Sequence, residues 1–172
     1  VMLSAETAIG AHPEKVIQAV DKIAIETEKD PLYFENLENS RTVSKEGVSN
    51  AITVAAREVA DNIKVKVICC FSHGGTTAEL ASRERPSAPI IALTPYNETA
   101  RKLTLFWGLH CVVTTPVDRF KRAVMNAVKA AKLFEFASGN DLIIVIAGVP
   151  FNTPGSTNIL RVVSVDENFD NF

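Results

Sequence analysis

Between a run of apolar, β-prone residues and a run with helical spacing lies Ser72-His73-Gly74-Gly75-Thr76-Thr77. These residue types suit an anion. Glycines let the backbone approach a ligand closely, and N–H groups at the start of a helix carry partial positive charge. Ser72, Thr76 and Thr77 add hydroxyls, and His73 adds an ionisable ring. The spacing matches neither a Walker A loop, which needs Gly-Lys-Ser/Thr, nor Gly-x-Gly-x-x-Gly. From these residues alone two readings stand: a phosphate cradle, or an ordinary helix start capped by Thr76 or Thr77 without a ligand.

A second glycine-bearing loop, VPFNTPGSTN from Val149 to Asn158, also follows an apolar run. Pro154-Gly155 is a turn dipeptide, so the loop, with Ser156, reads as a hairpin turn or as a flap over the first loop. Near the start, MLSAETA places Ser4, Glu6 and Thr7 together. A carboxylate and two hydroxyls can position a cation or a nucleotide, or cap the helix that follows. Arg119, Lys121 and Arg122 gather near another helix start, where the dipole disfavours cations, so an acidic partner is expected nearby. His12, His110 and Trp107 read as structural or surface residues. Cys69, Cys70 and Cys111 read as small buried thiols in a reducing cytoplasm. No Cys-x-x-Cys or paired-His spacing occurs, and no metal site is predicted.

The elements that must position these residues follow from periodicity. AHPEKVIQAVDKIAIETEKD reads as a helix with Pro13 in its first turn and a stripe of Val16, Val20 and Ile23. Pro31 and the polar stretch after it break that pattern. From about Ser44, helix and strand alternate. KEGVSNAITVAAREVADN is an amphipathic helix with Val48, Ile52, Ala55 and Val59 on one face. Strands are predicted at VKVICCF, PIIALT, CVVTT, DLIIVIAG and NILRVVSV. Helices lie between the first four, one of them capped by Asn97 and one running to near Gly139. Continuous apolar strands separated by helices indicate a mostly parallel sheet covered on both faces. The last two strands are joined by a loop and no helix, so the fifth is expected to be antiparallel. The predicted class is α/β: a three-layer α/β/α arrangement of about five strands.

Bulk properties exclude several classes. The 172 residues are 47% hydrophobic and 22% charged, with a formal net charge of −2. That is the composition of a folded protein and lacks the basic excess of a nucleic-acid binder. No apolar run is long enough to cross a bilayer, and no basic, cleavable leader precedes the first element, so a cytoplasmic location is expected. The chain opens on Val1-Met2-Leu3-Ser4, as if within a larger protein.

Three stretches together resemble the last third of pyruvate kinase. VMLSAETAIGAHPEKVIQAVDKIAIETE is similar to the family's final barrel strand and helix. FSHGGTTAELASRERPSAPIIALTPYNETARKLTLFWGLHCV is similar to its C-terminal domain, and IAGVPFNTPGSTNILRVVSV to its closing strand pair. The resemblance implies residues 1–35 as the end of a (β/α)8 catalytic barrel with its linker, and residues 36–172 as the C-terminal domain. It implies a parent enzyme that transfers a phosphoryl group from phosphoenolpyruvate to ADP, using Mg and K. In this chain only Ser4 and Glu6 would fall near the active site, no cofactor is expected, and the chain alone should be inactive. Ser72 to Thr77 would match the loop that holds the phosphate of an allosteric effector, with Pro154, Gly155 and Ser156 as its flap. The family's loop often reads Ser-Gly-Arg-Thr/Ser, where Gly74, Gly75, Thr76 and Thr77 stand here, so its arginine is missing. His73 and the Arg119, Lys121, Arg122 cluster would be the substitutes, which favours a sugar monophosphate or AMP over a bisphosphate. The family also implies a homo-oligomer, a dimer for this chain and a tetramer for the whole enzyme. The alternatives are an assembly module with a vestigial effector site, or an independent nucleotide-binding α/β domain.

Overall fold

The computed structural model describes residues 2–39, 46–151, 153 and 155–167. The chain forms two compact units, Val1–Val43 and Ser44–Phe172. In the first unit, α1 (Ala5–Ala8), α2 (Pro13–Glu28) and α3 (Pro31–Asn39) follow one another. Pro13 sits at the start of α2 as its fixed φ requires. Pro31 does not end helical structure as the sequence suggests. It opens α3, because a first-turn residue needs no N–H bond. The stripe of Val16, Val20 and Ile23 is only partly covered: Val16 and Val20 are half-buried, Ile23 is exposed, and α2 buries no residue fully.

The second unit carries the sheet. Its elements run α4 (Val48–Ile63), β1 (Val67–Phe71), α5 (Thr76–Arg83), β2 (Ile90–Thr94), α6 (Asn97–Leu103), β3 (Leu109–Val113), α7 (Phe120–Leu133), β4 (Leu142–Gly148) and β5 (Thr157–Ser164). The strand order is β3-β2-β1-β4-β5. β1 pairs in parallel with both β2 and β4, β2 in parallel with β3, and β4 antiparallel with β5. The three-layer, mostly parallel sheet with its antiparallel last strand is therefore present as expected.

Successive residues of a strand point to opposite faces, and the two cores divide accordingly. Val67, Cys69, Ile91, Leu93, Ile143 and Val145 pack under α7 residues Ala123, Val124, Ala127 and Ala131. Ile68, Cys70, Ile90, Ala92, Ile144 and Ile146 pack with Ala56 and Ala60 of α4 and with Ala78 and Ala81 of α5. The adjacent cysteines thus lie on opposite faces. Burial raises the Cys69 thiol to about 12 and pushes Cys70 up as well, so both stay protonated.

Local details depart from expectation where tertiary packing decides. In α4 the buried face is Thr53, Ala56, Arg57 and Ala60, whereas Val48 is 64% exposed. Small residues let the helix lie close to the sheet, and the larger Ile52 and Val59 flank the contact. Asn97 does not cap α6. It is the first helical residue, and extended Tyr96 precedes it as cap. The last helix stops at Leu133, six residues before Gly139, with Glu135 in the left-handed region at φ 60°.

Candidate functional site

In an open α/β sheet the carboxyl ends of the parallel strands form a ligand-binding edge. Here the loops leaving β1, β2, β3 and β4 line one cleft there. Its walls include Ser72, His73, Gly74, Thr76 and Thr77 after β1, Pro95 after β2, and Thr114 to Val117 after β3. Gly148, Phe151, Thr153, Gly155, Ser156 and Thr157 close it from the β4–β5 side. The two glycine-bearing loops singled out from the sequence therefore meet across one space. Pro154 lies outside the described residues.

The start of α5 sets the floor. Gly75 is its N-cap at φ 101°, a left-handed conformation that costs glycine nothing. Neither Thr76 nor Thr77 caps the helix. Instead Ser72 reaches forward, and the Thr77 amide donates to its Oγ at 3.3 Å. The Thr77 hydroxyl turns to Thr157 Oγ1 of β5 at 2.6 Å, with both residues buried. Thr76 keeps its side chain exposed at the cleft. The His73 carbonyl accepts from the hydroxyls of Thr94 at 3.4 Å and Thr99 at 3.3 Å. Its ring stands edge-on to Tyr96, with centroids 4.7 Å apart, and Nδ1 is enclosed without a hydrogen-bond partner.

The opposite wall is pinned at its base. Asn158 closes the β4–β5 loop by accepting from the Val149 amide at 2.9 Å and donating to the Val149 carbonyl at 2.6 Å. These bonds replace the ladder where the register slips between Ala147 and Gly148. Within the loop, Ser156 Oγ donates to the Thr153 carbonyl at 2.8 Å.

The charged candidates lie elsewhere. Among the described residues that line the cleft there is no Lys, Arg, Asp or Glu, and His73 is its one ionisable group. Arg119 is the N-cap of α7, and Arg122 pairs with Asp118 at 3.1 Å, the acidic neighbour expected at that helix start. Arg122 lines a separate recess behind Thr115, Pro116 and Val117, and neither Arg119 nor Lys121 borders the cleft. In the first unit Ser4 Oγ donates to Glu6 Oε2 at 2.5 Å, and this bond lowers the exposed Glu6 carboxyl below its usual range. Among the described residues no three His, Cys, Asp or Glu side chains gather to hold a metal, so Ser4 and Glu6 do not form such a site by themselves. No described helix is long and apolar enough to cross a membrane.

Sequence reasoning passed over Thr114, Thr115 and Thr157. The first two stand at the carboxyl end of CVVTT, where the strand-end rule could have found them. Thr157 carried no local signal, because its partner Thr77 is 80 positions away.

Residues 50–163 match the family model for the pyruvate kinase alpha/beta domain. The chain belongs to the pyruvate kinase family. A pyruvate kinase of Methylorubrum extorquens is 39% identical over 165 residues, covering 96% of this chain and 34% of that protein. A pyruvate kinase of Agrobacterium vitis is 42% identical over 162 residues, covering 94% and 34%. Among solved structures, a pyruvate kinase from Cryptosporidium parvum superposes with a TM-score of 0.82 at 29% identity, over 96% of this chain and 32% of that one. This chain thus spans about a third of the length of the pyruvate kinases it matches, and its residues 50–163 correspond to their C-terminal α/β domain.

Proposed function

We propose that the chain is the regulatory and assembly domain of a pyruvate kinase, and that the cleft takes a phosphorylated small molecule as its effector. The observation that carries this reading is the start of α5 in the cleft, facing the β4–β5 loop across it. First-turn N–H groups, the Thr76 hydroxyl and a glycine-lined approach suit a phosphate group. With no Lys or Arg on the described walls, the site suits one phosphate better than two, so a sugar monophosphate or AMP is favoured over a bisphosphate. The same lack of fixed charge favours a second reading, in which the site is vestigial and the domain serves assembly alone.

The parent enzyme, in the cytoplasm, would move a phosphoryl group from phosphoenolpyruvate to ADP with Mg and K held by residues beyond this chain. The 172 residues alone are expected to give no phosphoenolpyruvate-dependent ATP in a coupled assay. The effector reading is tested by thermal-shift titration of the chain with glucose 6-phosphate, AMP and fructose 1,6-bisphosphate. A ligand at 100 times its Kd stabilises by about 2.7 kcal/mol. Glucose 6-phosphate or AMP should raise Tm more than the bisphosphate at matched concentration, and the reverse order overturns the monophosphate assignment. Thr76→Glu puts a carboxylate at the phosphate position and should abolish the shift while leaving a sedimenting dimer intact. No shift with any of the three, from a chain that still dimerises, would leave the assembly reading standing alone.

A further inference from the structure

Gly155, Ser156 and Thr157 form a thin wall with the cleft on one side and a surface groove between α4 and α5 on the other. Ser49, in the first turn of α4, lies on the groove side. Its Oγ donates to the Gly155 carbonyl at 2.7 Å, with the Thr157 carbonyl at 3.4 Å, across more than a hundred positions of sequence. The backbone of Ser49 is itself tied inward, since buried Thr53 donates its hydroxyl to the Ser49 carbonyl at 3.1 Å. Gly47 caps α4 with no side-chain bond, so this contact to the loop is a tertiary hold on the helix start. At Gly155 φ is 73°, and no atom lies within 4 Å of where a Cβ would stand. The carbonyl held by Ser49 thus belongs to the same short segment whose other face lines the cleft.

We infer that Ser49 is a positioning residue that ties occupancy of the cleft to the start of α4, the first helix of its unit. The inference rests on the reading of the cleft as a phosphate-ester site. A competing route exists on the same turn: Arg83 of α5 donates to Asn50 Oδ1 at 3.0 Å.

The test uses the whole chain, with glucose 6-phosphate as probe. Affinity is measured by calorimetry and amide exchange by mass spectrometry, for wild type, Ser49→Ala and Ser49→Thr. Wild type should gain ligand-dependent protection both at residues 46–52 and in α5. Ser49→Ala should bind about fivefold more weakly, as one lost hydrogen bond implies. At saturating ligand it should keep the protection in α5 and lose it at 46–52. Ser49→Thr retains the hydroxyl and should restore both affinity and protection. Protection at 46–52 that survives in Ser49→Ala overturns the inference and assigns the coupling to Arg83 and Asn50. Absence of binding by wild type overturns the effector reading, and this inference with it.

Discussion

At the scale of single residues, the sequence picks out hydroxyls that the fold gathers at one cleft but cannot distribute their contacts. Ser72, Thr76 and Thr77 all reach the cleft region, yet they do three different things. Ser72 stabilises the helix start, Thr77 bonds away to β5, and Thr76 alone of the three stays exposed at the cleft. The division follows from Thr157, a partner visible only once β5 has folded beside β4. The Thr77–Thr157 bond is buried on both sides, with Thr77 6% and Thr157 2% exposed, so removing one hydroxyl strands the other. Thr77→Val is expected to cost about 1–2 kcal/mol in urea unfolding. Thr77→Val with Thr157→Val should recover part of that loss, because a matched apolar pair leaves nothing unpaired. Strictly additive losses would mean that the two hydroxyls do not depend on each other. The cations illustrate the same limit. Arg119, Lys121 and Arg122 follow the cleft-lining residues closely in sequence, but none of them borders the cleft, and Arg122 lines a separate recess with Thr115, Pro116 and Val117.

At the scale of elements, the strands were readable because their signal is local. VICCF, IIALT and LIIVIAG are continuous apolar runs, which only a strand buried on both faces needs. Helix boundaries and faces were less so. α4 shows Val48 and Ile63 to solvent and buries Thr53, Ala56 and Ala60 instead. Close helix–sheet approach, and not hydrophobic bulk, selects that face. The β4–β5 connection is similar: Pro154-Gly155 announces a turn, whereas its tightness depends on Gly148. A Cβ at Gly148 would stand 2.3 Å from Ser156 Oγ and 2.9 Å from the Ser156 backbone. The side chain of Ser156 can rotate away, but its backbone must move. Gly148→Ala should therefore push the loop off its seat, costing about 1–3 kcal/mol and weakening any phosphate ester bound beneath it. A melt and a titration identical to wild type would show that the loop is not packed on the strand end in this way.

At the scale of the whole molecule, the two units differ in what holds them. Residues 44–172 enclose a sheet with a core on each face, filled by Ile68, Ile90, Ile91, Ile143 and Ile144, all at 1% exposure or less. Each such side chain contributes about 1.5–3 kcal/mol by leaving water. The described part of the first unit buries no residue fully, and Ile9, Ile23 and Leu32 are 87%, 67% and 60% exposed. Its helices have little apolar burial to add to their own hydrogen bonds and local pairs such as Lys29–Glu26, a weak arrangement at such lengths. Two consequences follow for the chain in solution. Hydrogen exchange should be fast throughout residues 2–39 and slowest in β1, β2 and β4, where neighbours cover both faces of the sheet. Deleting residues 1–43 should move the Tm of the remaining unit by no more than about 4 °C, the equivalent of roughly 1 kcal/mol or less. The shortened chain should also keep whatever shift glucose 6-phosphate gives the full one, since every residue lining the cleft belongs to the second unit. A much larger fall in Tm, or loss of the ligand shift, would mean that the first helices support the sheet, and the folding unit would then have to be drawn to include them.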